Sequence, residues 1–290
     1  MHPSIRGGNV KEQHWWSKVR FLGKHKLSGK YAAYFGRSIS NSIVKEKRII
    51  LDASPDSMWD PGRIALAKQD PKRVATTLVK APRVLPASFI KEYTPDAKFI
   101  IIMRNPTERL YSHYLYEGIV TTAADYKPSL ARSQARFHKV VQKMIINLRN
   151  CFKTRSVRDC VYDPKFLVQG QKTRVFLQIG LYVIFLSDWL KIIPRDQFFI
   201  IKTEEYSNNT QKVMSDLFDF LGLENDINGK SDQAIMETVL AASRPNPGSL
   251  HGVRIGEMWN ATRTLLDDFY RPFNDALATL LEDKKYQWTH

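Results

Sequence analysis

Two stretches of this chain carry residue types that can do chemistry at close quarters. The first is Lys11-Glu12-Gln13-His14-Trp15-Trp16. A carboxylate and an imidazole two positions apart can share a proton, and either can act as a base toward a hydroxyl. The neighbouring tryptophans can supply a dry wall or a flat face for a sugar ring. The same pattern also fits a surface charge beside two core tryptophans. The second stretch is Arg104-Asn105-Pro106-Thr107-Glu108-Arg109-Leu110-Tyr111-Ser112. A guanidinium and a hydroxyl converging on one point can hold a phosphate by charge-assisted hydrogen bonds. The alternative is that Arg104 and Arg109 are solvated charges flanking a helix start.

The elements around the second stretch give it a place. Phe99-Ile100-Ile101-Ile102-Met103 is an unbroken apolar run, the pattern of a central strand covered on both faces. Arg104 ends the run, and Pro106 stands where a helix would begin and a missing N–H costs nothing. This strand, exit and helix put Arg104 at the carboxyl edge of a sheet, where ligands of open α/β sheets gather. Ser112 lies almost two turns into the helix.

Around the first stretch the chain is less regular. Ile5-Arg6-Gly7-Gly8-Asn9 reads as a glycine-rich loop, and Phe21 to Lys30 as a basic one. Periodicity predicts a helix over Tyr31–Val44 and a strand over Lys47–Asp52 that leads to Ala53-Ser54-Pro55. Further helices are predicted over Pro82–Glu92, Leu130–Leu148 and Phe176–Ile193. A strand over Gln197–Lys202 precedes an amphipathic helix through Leu217, Phe218 and Leu221, and Glu257–Asp283 is largely helical. Arg132, Arg136, Lys139 and Lys143 line one side of the helix over Leu130–Leu148. They are either a solvated face or part of a groove for an acidic glycan.

Composition bounds the function. A chain of 290 residues with 43% hydrophobic content suits one large α/β domain with decorations, or two small ones. Its net charge of +15, from 44 Lys+Arg against 29 Asp+Glu, favours polyanionic partners. No zinc-finger spacing or RNA-binding signature accompanies that charge, so nucleic acid is not the expected partner. No His/Cys/Asp/Glu spacing reads as a metal site. The two cysteines, Cys151 and Cys160, can close a small loop or stand as free thiols. The sequons at Asn208 and Asn260 point to a secretory compartment and favour the disulfide. Met1 to Arg6 carries no signal or anchor, and Val175 to Leu186 is too short to span a bilayer.

Arg104-x-Pro106-x-x-Arg109-x-x-Ser112 resembles the 3′-phosphate-binding motif of sulfotransferases that use 3′-phosphoadenylyl sulfate. The resemblance implies that Arg104 and Ser112 hold the nucleotide's 3′-phosphate. Lys11-Glu12-x-His14-Trp15-Trp16 is similar to the Lys-Glu-x-His-Phe-Phe segment of glycosaminoglycan sulfotransferases. It implies Glu12 as catalytic base with His14 close by, and Lys11 and Trp15 toward the acceptor. The tryptophans resemble the N-acetylgalactosamine 4-sulfate 6-O-sulfotransferase branch, and His2-Pro3 matches a family dipeptide. At Ala53-Ser54-Pro55 the family often carries a Lys before Ser-Pro or Thr-Pro. Ala53 departs from this and leaves Ser54 as the polar contributor. The Pro/Gly loop Ser243 to Gly252 matches a late loop that closes over the 3′-phosphate, which makes Arg244 and Arg254 candidates.

The resemblance implies an α/β fold with a P-loop-like central parallel sheet flanked by helices, and one sulfotransferase domain over residues 1–290. It implies sulfuryl transfer to a sugar hydroxyl of a chondroitin- or dermatan-type glycosaminoglycan. Arg and Lys would meet the charges without metal. The setting would be the Golgi lumen, with an N-terminal membrane anchor on a full-length form. The family's first strand and 5′-phosphosulfate loop would lie upstream of His2, so the domain is expected to be N-terminally incomplete. A kinase would need a Walker motif, which the chain does not contain. A non-catalytic binder of anionic glycans is the other reading.

Overall fold

Isoleucines favour extended backbone, and Ile5–Gly7 (β1) pairs in parallel with Ile49–Leu51 (β2) in the register Ile5 to Ile49, Arg6 to Ile50 and Gly7 to Leu51. The glycine-rich loop expected over residues 5–9 is thus corrected at Ile5–Gly7, and residues 8 and 9 lie outside the described residues. The partner strand lies far along the chain, and no local signal reports it. The computed structural model describes residues 5–7, 12, 14–17, 49–62, 80–116, 132–223, 237, 241 and 255–288. The helix predicted over Tyr31–Val44 and the basic loop from Phe21 to Lys30 lie outside these residues.

The chain divides into two units. The first comprises Met1–Leu66, Val84–Ile102 and Ile192–Pro245. Besides β1 and β2 it contains the helix Pro86–Tyr93 (α1), which starts at a proline and so begins later than predicted. Phe99–Met103 (β3) and Phe198–Lys202 (β4) form a second two-stranded sheet, and the Phe99 and Phe198 rings stack with centroids 5.1 Å apart. β3 occupies the predicted residues but is not covered on both faces, because Ile102 is 59% exposed. An apolar run signals a preference for burial without specifying how many sides are covered. Beyond β4 the acidic segment from Thr203, which the sequence suggests is a turn, is the short helix Thr203–Asn208 (α2), and the predicted amphipathic helix is Thr210–Leu221 (α3). Asn209 divides them, and its side chain caps α3 by accepting from the Lys212 N–H at 3.1 Å.

The second unit comprises Ala67–Arg83, Met103–Lys191 and Asn246–His290 and is helical among the described residues. Pro106–Tyr116 (α4) follows β3. Gln134–Phe152 (α5) starts at Ser133, whose hydroxyl accepts from the Arg136 N–H. Short helices follow at Val157–Val161 (α6) and Pro164–Thr173 (α7). The Cys151 and Cys160 sulfurs are bonded, joining the end of α5 to α6 with Cα atoms 6.0 Å apart.

The helix predicted over Phe176–Ile193 is broken into a 3₁₀ turn at Leu177–Gly180 and a helix at Tyr182–Leu190 (α8). The cause lies in the C-terminal helix Asn260–Leu280 (α9). The Tyr270 hydroxyl donates to the Leu177 carbonyl at 2.8 Å, while the Leu181 N–H turns to the Gln178 carbonyl. Gly180 admits the ring, since a Cβ there would lie 2.8 Å from Tyr270 Cε1. Leu110, Phe137, Val141, Met144, Leu148, Leu186, Leu266 and Tyr270 form the core of this unit. No helix among the described residues is long and apolar enough to cross a membrane.

Candidate functional site

In the first unit, parallel pairing sends the segments after β1 and β2 out at the same edge. Asp52 organises the exit of β2, its Oδ1 accepting from the Ser54 N–H at 3.1 Å and the Ser54 hydroxyl at 2.6 Å. Ser54 Oγ in turn accepts the His14 backbone N–H at 2.8 Å. That bond holds His14 at φ 51°, in the left-handed region a non-glycine residue enters at a cost. The imidazole is then fixed between two carboxylates. Nδ1 lies 2.7 Å from Asp56 Oδ1, and Nε2 lies 3.5 Å from Glu12 Oε2. The Glu12 side chain is 42% exposed and that of Asp56 is 3% exposed. Trp15 and Trp16 are buried. Burial of this kind is that of core tryptophans, and neither presents an open stacking face.

In the second unit, Arg104 leaves β3 with its carbonyl accepting from the Tyr182 hydroxyl at 2.9 Å. Asn105 caps α4, its Oδ1 accepting from the N–H groups of Thr107 at 2.9 Å and Glu108 at 3.3 Å. Those two N–H groups are therefore engaged, and a phosphate here would be gripped by side chains. Glu108 and Ser112 stand four apart within α4 and share a face, and Arg104 precedes the helix. Arg104 is 40% exposed on its side chain, with Nη2 4.0 Å from Glu108 Oε2, and Ser112 is exposed. The other carboxylate oxygen of Glu108 pairs with Arg263 from α9. Two guanidiniums thus share the one carboxylate of Glu108.

The motif's other arginine turns inward. Arg109 Nη2 donates to the Phe176 carbonyl at 3.0 Å and so anchors the start of the 3₁₀ turn. Tyr111 and Tyr114 are buried in the same helix, the Tyr111 hydroxyl donating to the Gly256 carbonyl at 2.7 Å. Burial pushes both phenols above their ordinary range, and Tyr114 adds to the effect on Tyr111.

Lys11, Arg244 and Arg254 lie outside the described residues. The sequon residues Asn208, at the end of α2, and Asn260, at the start of α9, are exposed. Among the described residues no group of three or more His, Cys, Asp or Glu is arranged to hold a metal ion. Sequence reasoning missed Asp56, Glu108 and Arg263. Glu108 was findable, since it stands at helical spacing between Arg104 and Ser112. Arg263 pairs across 155 positions and left no local signal.

The sulfotransferase domain family model matches residues 9–253. Carbohydrate sulfotransferase 15 of Homo sapiens is 30% identical over 308 residues, covering 99% of this chain and 51% of that protein. Carbohydrate sulfotransferase 15 of Rattus norvegicus is 30% identical over 314 residues, with the same coverage. This chain thus spans about half the length of these relatives. The protein of that name from Nototodarus sloanii is 35% identical over 164 residues, 56% of this chain and 96% of that one. The crystal structure of a sulfotransferase from Alicyclobacillus acidocaldarius shares the α/β fold with a TM-score of 0.52 at 18% identity, over 97% of this chain and 87% of that one.

Proposed function

Because this chain belongs to the sulfotransferase domain family, we propose that it transfers a sulfuryl group from 3′-phosphoadenylyl sulfate to a hydroxyl of a sugar. The reading is supported by the partly exposed Arg104 at the exit of β3 and the exposed Ser112 in α4, on either side of a helix start whose first N–H groups Asn105 already satisfies. Such a pair suits a terminal phosphate held by side chains, and Arg104 and Ser112 hold the 3′-phosphate. Arg244 and Arg254 are the further candidates for that phosphate.

The co-substrate brings the activated sulfuryl group, and the chain's own residues supply the proton chemistry. Glu12, exposed and within reach of His14, removes the proton of the attacking hydroxyl. A positioned base of this kind contributes about 10²–10⁴-fold. Lys11 and Trp15 are the further candidates for the acceptor, and Ser54 serves it indirectly by holding the His14 backbone. Lysine and arginine meet the transferring charge without metal.

The acceptor is an anionic glycosaminoglycan of the chondroitin or dermatan type, a choice supported by the net charge of +15. Nucleic acid is not a partner. Residues 1–290 act as one sulfotransferase domain in the Golgi lumen, in a protein anchored through an N-terminal membrane segment and glycosylated at Asn208 and Asn260. The test is transfer of labelled sulfate by the full-length protein to chondroitin, dermatan and an uncharged polysaccharide. Label on the first two supports the reading. Retention of the glycans without transfer selects the non-catalytic binder, and label only on the uncharged polymer refutes the acceptor class.

A further inference from the structure

We propose that Asp56 is a positioning residue of the acid–base site, and that Glu12, His14 and Asp56 act as one proton relay. The proposal rests on the sulfuryl-transfer reading above. It begins from an asymmetry between the two carboxylates on the imidazole. Asp56 is buried, with Oδ1 2.7 Å from Nδ1, whereas Glu12 is open to solvent, with Oε2 3.5 Å from Nε2. A buried carboxylate at that distance requires a proton on Nδ1, because the lone pairs of nitrogen and oxygen would otherwise face each other. The neutral imidazole is therefore held as the Nδ1–H tautomer, with the lone pair of Nε2 turned toward Glu12. Ser54 fixes the backbone of the same residue and is itself tied to Asp52. Ring and main chain of His14 are thus set by two different side chains of the β2 exit turn.

This order assigns a path to the proton. As the acceptor oxygen bonds to sulfur, the bond from sulfur to the nucleotide's phosphate oxygen breaks, and its electron pair leaves with the nucleotide. The hydroxyl proton passes to the Glu12 carboxylate. Glu12 then gives it to His14 Nε2, and the resulting imidazolium lies between two carboxylates. Glu12 is restored as a carboxylate, and the proton leaves to water from the exposed side. Asp56 never accepts the proton. It sets the tautomer that lets His14 accept, and it stabilises the cation that results. Among the described residues, Glu12 and Asp56 are charged groups facing the ring, and Asp52 acts one bond further away through Ser54.

The test uses the full-length protein and its Asp56→Asn variant, with two readouts. Nitrogen-15 NMR, with His14 assigned by loss of its signal in His14→Gln, reads the tautomer without any substrate. The proposal expects an Nδ1–H imidazole in the parent, and a redistributed tautomer in Asp56→Asn. Kinetics expects kcat to fall by about 10²-fold or more with KM for 3′-phosphoadenylyl sulfate unchanged. It also expects the pH profile to move in the range where histidine titrates. An Nε2–H tautomer in the parent overturns the proposal, and that measurement stands even if Asp56→Asn does not fold. An active parent whose Asp56→Asn variant keeps kcat and pH profile also overturns it. A parent that transfers sulfate to no sugar refutes the functional reading instead, and the tautomer still decides the contact.

Discussion

Replacing Arg104 by alanine removes one guanidinium from the exit of β3 and leaves the fold intact. Its backbone contact, the hydrogen bond from the Tyr182 hydroxyl, is to the carbonyl and survives the change. The side chain's contact with Glu108 spans 4.0 Å on a partly exposed surface, and a helix pair of that kind contributes only about 0.3–0.5 kcal/mol. Glu108 also keeps its second partner, Arg263. The melting temperature should therefore shift by no more than about 2 °C. A charge-assisted hydrogen bond contributes about 1.5–3 kcal/mol. The arginine is 40% exposed, so solvent screening places the expected loss at the lower end, which corresponds to about tenfold in Kd. The loss should fall on adenosine 3′,5′-bisphosphate and spare adenosine 5′-monophosphate, which lacks the 3′-phosphate. Isothermal titration calorimetry of both nucleotides, at one fixed ionic strength, makes the comparison. Equal losses for the two, or none for the bisphosphate, would refute the assignment of Arg104 to that phosphate.

Glu12→Gln in the full-length protein should keep nucleotide affinity and lose about 10²–10⁴-fold in turnover, and a folded variant with near-normal kcat would move the base to another group. Burial holds the Tyr270, Tyr111 and Tyr114 phenols above their ordinary range. Their protonated forms are thus favoured by folding, and the stability they confer is intact below about pH 10 and lost as pH rises beyond it. Tyr270→Phe should cost about 0.5–1.5 kcal/mol at neutral pH, through the bond to Leu177, and flatten that alkaline decline. Urea denaturation at neutral and alkaline pH reads both effects, and an unchanged slope would exclude Tyr270 as a contributor. Gly180→Ala would press a methyl group against the Tyr270 ring at 2.8 Å and should cost about 1–3 kcal/mol. An unchanged denaturation midpoint would mean that the ring moves freely.

What the sequence determined by itself is what depends on near neighbours. The apolar run over Phe99–Met103 and the proline behind it mark a strand and a helix start within one short stretch. Arg104 could be placed at the end of the strand and Ser112 almost two turns into the helix from local pattern alone. Glu12 and His14 stand close because two residues separate them very little in any backbone. Helix periodicity located the helices Pro86–Tyr93, Gln134–Phe152 and Asn260–Leu280 to within a few residues, because each has an apolar stripe, and the first two also have a start signal in Pro86 and Ser133. Tertiary structure decided whatever needs a partner far along the chain. Ile5–Gly7 is a strand only because Ile49–Leu51 pairs with it, and its glycine-rich surroundings suggested a loop. The run from Phe176 has helical composition throughout, yet Tyr270 takes one of its carbonyls and breaks it. Asp56 sits in an ordinary Ser-Pro-Asp turn and gains its place at His14 from the parallel pairing of two short strands. Periodicity encodes which face a residue occupies. Which distant residue meets that face is set by pairing and packing, and a single sequence records neither.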